Sequence, residues 1–192
     1  MMMRLTSIAA LASLAAVTGC TTLNGPEQPV TTVRTEPTYQ SADANNFLAS
    51  SQDAINKLTA AVSPQATGTG PVLVATVVNV NNTASSSPLG RTLSEIYANQ
   101  MVARGFHVKE VKLRTDIYVR EGTGELMLSR EMRDIARSQN ASMVVVGTFS
   151  PAANFTYVSL KLVRTEDSRI LAGYDYALPN DRDVSRLVNA SR

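Results

Sequence analysis

The 192-residue chain has no tryptophan, one histidine and one cysteine, and aromatic residues make up only 5% of it. A lone cysteine rules out a disulfide within the chain, so packing must hold the fold together. The lone histidine, His107, rules out a multi-histidine zinc site and leaves any serine triad dependent on that one residue. It follows a Gly-Phe pair at the start of an alternating stretch, which reads as a solvated strand residue rather than a catalytic base. An excess of one charge is missing too. Eighteen Lys and Arg against 16 Asp and Glu leave a formal +2, without the concentrated basic footprint that nucleic acid demands. No Gly-x-Ser-x-Gly elbow occurs. Gly68-Thr69-Gly70 and Gly122-Thr123-Gly124 lack the downstream glycine and the strand-to-helix setting of a dinucleotide loop, and they read as turns. The carboxylate pairs Glu121/Glu125 and Asp181/Asp183 lie in polar loops, where burial does not split their pKa values, and read as solvated charge. This inventory calls for no cofactor, no metal and no catalysis.

Long hydrophobic runs are short here as well. Ile8 to Val17 is apolar apart from Ser13, about half of the roughly 20 residues a membrane-crossing helix needs. With Arg4 ahead of it and small residues behind, residues 1–19 have the layout of a secretory signal that is cut away. Val17-Thr18-Gly19-Cys20 resembles the lipobox of bacterial lipoproteins, which implies a diacylglycerol thioether on Cys20 and cleavage just before it. A thiol suits that role as the most nucleophilic side chain near neutral pH. A free thiol left after ordinary cleavage, or one kept for an intermolecular disulfide, are the competing fates. Three acyl chains would exceed the two signals that stable attachment requires. Thr21 stands where an inner-membrane retention signal would place Asp, which by family habit implies the periplasmic face of the outer membrane, with its lipid as the first partner.

Residues 20–44 hold three prolines (Pro26, Pro29, Pro37) and few large apolar side chains, so they read as the lipidated N-terminus and a flexible linker. As a coil such a tether averages roughly 25–30 Å end to end. A strand at Val30 to Thr35 docking on the domain is the competing reading. From residue 45 to 192 the pattern is that of a folded domain. Phe47, Leu48, Ile55, Leu58 and Val62 recur at helical spacing up to Pro64. Residues 71–80, PVLVATVVNV, are nearly all aliphatic, as in a strand covered on both faces. Ser87-Pro88 opens a helix lined by Leu89, Leu93, Ile96, Tyr97 and Met101, and Gly105 closes it. HVKEVKL (107–113) alternates and reads as an edge strand. Ser129 caps a third helix with Met132, Ile135 and Ala136, SMVVVGTF (142–149) is a second central strand, and 180–189 is a short closing helix with Val184, Leu187 and Val188 inward.

This order predicts an α/β fold: an amphipathic helix, then one three-layer domain on a mixed sheet of about five strands. A parallel β-α-β-α-β run followed by an antiparallel hairpin, in strand order 2-1-3-4-5, puts the two crossover helices on opposite faces. The hairpin strands are 154–164 and 169–178. A three-residue loop, 166–168, pairs residue 165 with 169 and sets Val158, Leu160 and Leu162 beside Tyr176, Tyr174 and Ala172, with Ser159, Lys161 and Asp175 on the other side. A one-residue slip would turn the apolar set to water, so burial selects this register. Its turn places Ser168 at positive φ.

The stretches Leu89-Gly90-Arg91, Arg104-Gly105-Phe106, Leu128-Ser129-Arg130 and Gly147-Thr148, in this order behind a lipobox, resemble the FlgO family of flagellum-associated outer-membrane lipoproteins over about residues 45 to 180. The resemblance implies a domain related to the N-terminal domain of TolB and to synthase-activating lipoproteins, a role in motility and envelope integrity, and no catalysis. Ser168 departs from the glycine common in relatives at that turn. Envelope or flagellar proteins are the implied partners, self-association is left open, and activation of a peptidoglycan synthase is the alternative.

Two surfaces stand out beside that resemblance. One is the crevice beyond the carboxyl ends of the central strands, with Asn79, Asn81, Asn82 and Ser85 to Ser87 on one side and Thr148 and Ser150 on the other. Arg91, in the first turn of the helix that Ser87 caps, would favour an anion there; ordinary loop and capping residues are the competing reading. The other surface is basic, with Arg104, Lys109, Lys112, Arg114 and Arg120 against Glu110 and Asp116. It would suit an acidic partner, against the plainer reading of a solvated edge. Arg91, Arg104, Lys109, Lys112 and Arg114 are the candidate partner-binding residues.

Overall fold

The computed structural model describes residues 37–43, 45–60, 62, 70–83, 87–111, 118–120, 126–128 and 130–190. The signal segment, Cys20 and the competing strand at Val30 to Thr35 lie outside them. Within the expected linker, Tyr39–Asp43 form a helical turn, α1. Thr38 Oγ1 accepts from Ser41 N and Ser41 Oγ accepts from Thr38 N, a reciprocal cap that starts the compact unit at Thr38, ahead of Asn45.

Helix α2, Asn46–Thr59, opens with Asn45 Oδ1 accepting from Phe47 N at 2.7 Å and buries a stripe of Ser51, Ala54, Ile55 and Leu58. The buried Thr59 hydroxyl donates back to Ile55 O. Leu48, one turn before the stripe opens, is exposed. The expected strand at 71–80 is two pieces, β1 (Val72–Ala75) and β2 (Val78–Asn79). Val74 pairs with Val145 but Val78 pairs with Thr148, so an extra residue is inserted at Thr76–Val77, as in a β-bulge. The insertion shifts the alternation: Val72, Val74 and Val77 enter one core, and Leu73, Ala75 and Val78 the other.

Helix α3, Pro88–Ala103, has Ser87 Oγ accepting from Gly90 N at its start. At its end Gly105 takes φ 86°, Gly105 N donates to Val102 O and Phe106 N to Met101 O, with Phe106 and Met101 both buried, a Schellman closure. Strand β3, Val108–Val111, follows at the sheet edge. A hairpin, β4 (Tyr118–Arg120) against β5 (Leu126–Leu128), then intervenes where no element was expected. Three residues a side carry too little alternation to be read from sequence. The turn at Gly122 to Gly124 and the Ser129 cap lie outside the described residues. Helix α4, Arg130–Ser138, leads to the long strands β6 (Met143–Pro151), β7 (Phe155–Arg164) and β8 (Ile170–Pro179) and to helix α5, Arg182–Asn189.

The sheet runs β3-β1-β6-β7-β8, with β2 continuing alongside β6; β3, β1 and β6 are parallel, and β7 and β8 antiparallel. This is the order 2-1-3-4-5 read from the sequence. Leu89, Leu93, Tyr97 and Met101 of α3 pack with α2 and α5 on one face, while Met132 and Ala136 of α4 pack on the other, so the crossover helices lie on opposite faces.

The hairpin register holds: Val158, Leu160 and Leu162 lie beside Tyr176, Tyr174 and Ala172. Its loop does not. Arg164 N donates to Arg169 O, which closes a four-residue loop over 165–168 instead of three, and the ladder shifts by one between Leu162 and Val163 to absorb the difference. Burial fixes the register, and the bulge lets a longer turn close it. Ser168 takes φ 59°, the expected conformation inside the longer loop.

Candidate functional site

Helix α4 covers the β1–β6 half of its face of the sheet. Among the described residues, Val163 at the end of β7 joins the α4 cluster, and beyond it the β7–β8 half holds an open groove of ≈ 540 Å³ lined by Val80, Thr148, Ser150, Tyr157, Asp175 and Ala177. Register places these side chains. Thr148, Ser159 and Asp175 form one row across three strands, and Ser150, Tyr157 and Ala177 the next. Tyr157 is 55% exposed and Val80 39%. An aromatic ring and an aliphatic floor rimmed by hydroxyls and one carboxylate make a binding surface, in the size range of ligand clefts.

The expected crevice is divided by the sheet. Asn79 stands in register with Phe149, on the α3 side, and is committed to a local turn: its Oδ1 accepts from Asn81 N and its carbonyl from Asn82 N. Thr148, Ser150 and Val80 face the opposite side, in the groove. Ser87 is spent on its cap, Arg91 is half-buried in the first turn of α3, and Ser85 and Ser86 lie outside the described residues.

The basic residues are also separated. Arg104, at the end of α3, donates to Asn56 Oδ1 at 3.4 Å, beside Gln100 Nε2 at 2.8 Å on the same oxygen. Lys109 lies in register with Leu73 on the α4 side and donates to Gln139 Oε1 at 3.3 Å. Arg91 and Arg104 stand about 20 Å apart along α3 at 1.5 Å per residue. The described members therefore form no one patch; Lys112 and Arg114 lie outside the described residues, and Arg120 is on β4. His107 is exposed, its carbonyl accepting from Val72 N.

On the other face of β8 the tyrosines bind the helices down. Tyr97 OH and Tyr176 OH share a 2.5 Å hydrogen bond, and Tyr176 OH lies 3.2 Å from Ser51 Oγ, linking α3, β8 and α2. Burial pushes the Tyr97 phenol well above its usual value, with Tyr176 beside it adding to the effect. Burial raises Tyr176 as well, against the pull of its bonds to Ser51 and Tyr97. Lys57 reaches Tyr174 OH at 3.0 Å and Asp53 at 2.8 Å; the Asp53 carboxylate, then the Tyr174 hydroxyl, hold its ammonium above the usual range. This network ties the layers together.

No curated protein matches the sequence. Among solved structures, the LpoB C-terminal domain from Salmonella enterica is 17% identical with a TM-score of 0.46, covering 70% of this chain and 98% of that one. The PelC dodecamer from Paraburkholderia phytofirmans is 16% identical, TM-score 0.42, covering 62% and 74%. TolB from Acinetobacter baumannii is 10% identical, TM-score 0.33, covering 62% and 28%. The family model described as FlgO protein matches residues 52–183. Spanning more than half of the sequence and most of the sheet with its crossover helices, that match means the chain belongs to the FlgO family.

Proposed function

We propose that the chain is a lipid-anchored protein of the outer membrane, held at its periplasmic face through Cys20, that serves flagellar motility and envelope organisation by binding other envelope proteins. Family membership over residues 52–183 is the observation that carries this reading. Support comes from the lipobox Val17-Thr18-Gly19-Cys20 ahead of the domain and from an open groove with an exposed tyrosine, suited to docking. The role is non-catalytic: a permanent anchor and a tether raise the local concentration of a modest binding surface near its partner. A strain lacking the gene, complemented with wild type or with Cys20→Ala, tests it. Swimming should be lost in the deletion, restored by wild type and not by Cys20→Ala. Normal swimming together with a wall-synthesis defect would instead favour the synthase-activator role.

A further inference from the structure

The two ends of the sheet are built differently. β3 is four residues long and carries the exposed Lys109, features that discourage another strand from pairing. β8 is ten residues long and its only charge is Asp175. Asn180 N donates to Asn154 O in the register of the whole ladder, so Leu178, Tyr176 and Tyr174 turn their backbone groups toward β7. The N–H and C=O groups of Gly173, Asp175 and Ala177 therefore point outward. All three residues are exposed, and among the described residues no backbone group bonds to them from that side.

Gly173 is not required by the fold. A Cβ there would meet only Leu160 O, at an ordinary 3.6 Å, yet glycine in mid-strand weakens the strand. It leaves a gap on the open face, two residues from Asp175 and on the same side of the strand. The edge also disfavours its own copy. Two-fold pairing centred on Asp175 sets like carboxylates opposite each other, and moving the centre either way runs into the bulge near Leu171 or into Pro179, which has no N–H. Asp175 makes no ion pair among the described residues. Tyr157 stands diagonally across from it, in register with Ala177, within reach of one long side chain. A guanidinium fits that pair, bonding the carboxylate in a plane and stacking on the ring.

We propose that β8 receives an extended segment of a partner protein as a new end strand, with an arginine against Asp175 and Tyr157 and a large side chain over Gly173. This rests on the docking role proposed above and gives it a mode: main-chain bonds supply affinity and alternate side chains supply selectivity. The test uses the full chain in detergent micelles and the capped hexapeptide Thr-Val-Arg-Val-Tyr-Thr, followed by amide chemical shifts. Saturable shifts centred on Gly173, Asp175 and Ala177 are expected, with the peptide carrying Glu in place of Arg binding about fivefold more weakly, as a cross-strand charge pair allows. Asp175→Lys should invert that preference. Ala177→Pro removes an outward N–H without touching the β7 ladder, so it should abolish binding while the melting curve shows the fold intact. Equal affinity for the two peptides, shifts centred elsewhere, an unaffected Ala177→Pro, or concentration-dependent broadening of these amides without peptide, which would mean a second copy, each overturn the proposal. If the peptide fails while swimming still requires the anchored chain, strand addition falls and the docking role stands; if that requirement fails too, both fall.

Discussion

At the scale of single residues, two glycines of the family-like stretches meet at one inserted residue. A Cβ on Gly90 would lie 1.8 Å from Val77 O, and one on Gly147 would lie 2.8 Å from Leu160 Cδ2 and 3.2 Å from Val77 Cγ2. The bulge pushes its carbonyl toward the first turn of α3, and only glycine lets the helix close on it. Gly90→Ala should destabilise the protein by about 1–3 kcal/mol, read from urea unfolding, whereas the exposed Gly173→Ala should not. The Tyr97–Tyr176–Ser51 chain gives a second prediction. Both phenols are raised above 10 in the folded state. The unfolded state therefore ionises first: stability is intact below pH 10 and falls as pH rises from there toward the folded-state values. A Tyr97→Phe/Tyr176→Phe pair should flatten that alkaline loss in denaturation measured between pH 9 and 12. None of this was legible beforehand. Leu89-Gly90-Arg91 could be read as a helix opening after Ser87-Pro88, but the neighbour that demands glycine comes from a strand in an aliphatic run with no phase of its own.

At the scale of elements, legibility followed the strength of local signals. Of the two caps read from the sequence, Ser87 accepts from Gly90 N as expected and Ser129 lies outside the described residues; Asn45 and Asp181, the latter read as solvated loop charge, also cap their helices by accepting from backbone N–H groups of the first turn. Replacing Ser87 by Ala should cost about 1 kcal/mol in thermal or urea unfolding. Strand order read well, because two aliphatic runs need cover on both faces. The break between β1 and β2 did not, since a strand buried on both sides shows no alternation for a bulge to interrupt. In the β7–β8 hairpin the apolar set fixed the register, while the loop length was free to differ once a bulge absorbed it. Ser168 remains the strained point, so Ser168→Gly should raise stability by up to about 1 kcal/mol, seen as a higher melting temperature. The groove was half legible: alternation put Ser159 and Asp175 on the side away from Tyr174 and Tyr176, but nothing in the sequence said that α4 would leave that side open.

At the scale of the whole molecule, the proposed function divides between a docking body built by the fold and a place given by the N-terminus. The candidate cations illustrate why surface function is hard to read from a chain: Arg104 and Lys109 are near neighbours in sequence, yet a helix end and an edge strand direct them to opposite sides of the sheet. In the proposed function a tether and an anchor at one residue make a modest groove enough, because confinement replaces intrinsic affinity. The intact mass of the mature protein, isolated from membranes without reduction or hydrolysis, tests this most directly. A chain beginning at Cys20 and carrying three acyl chains is the expected result. A chain with a bare thiol at residue 20, recovered from the soluble fraction, would contradict it.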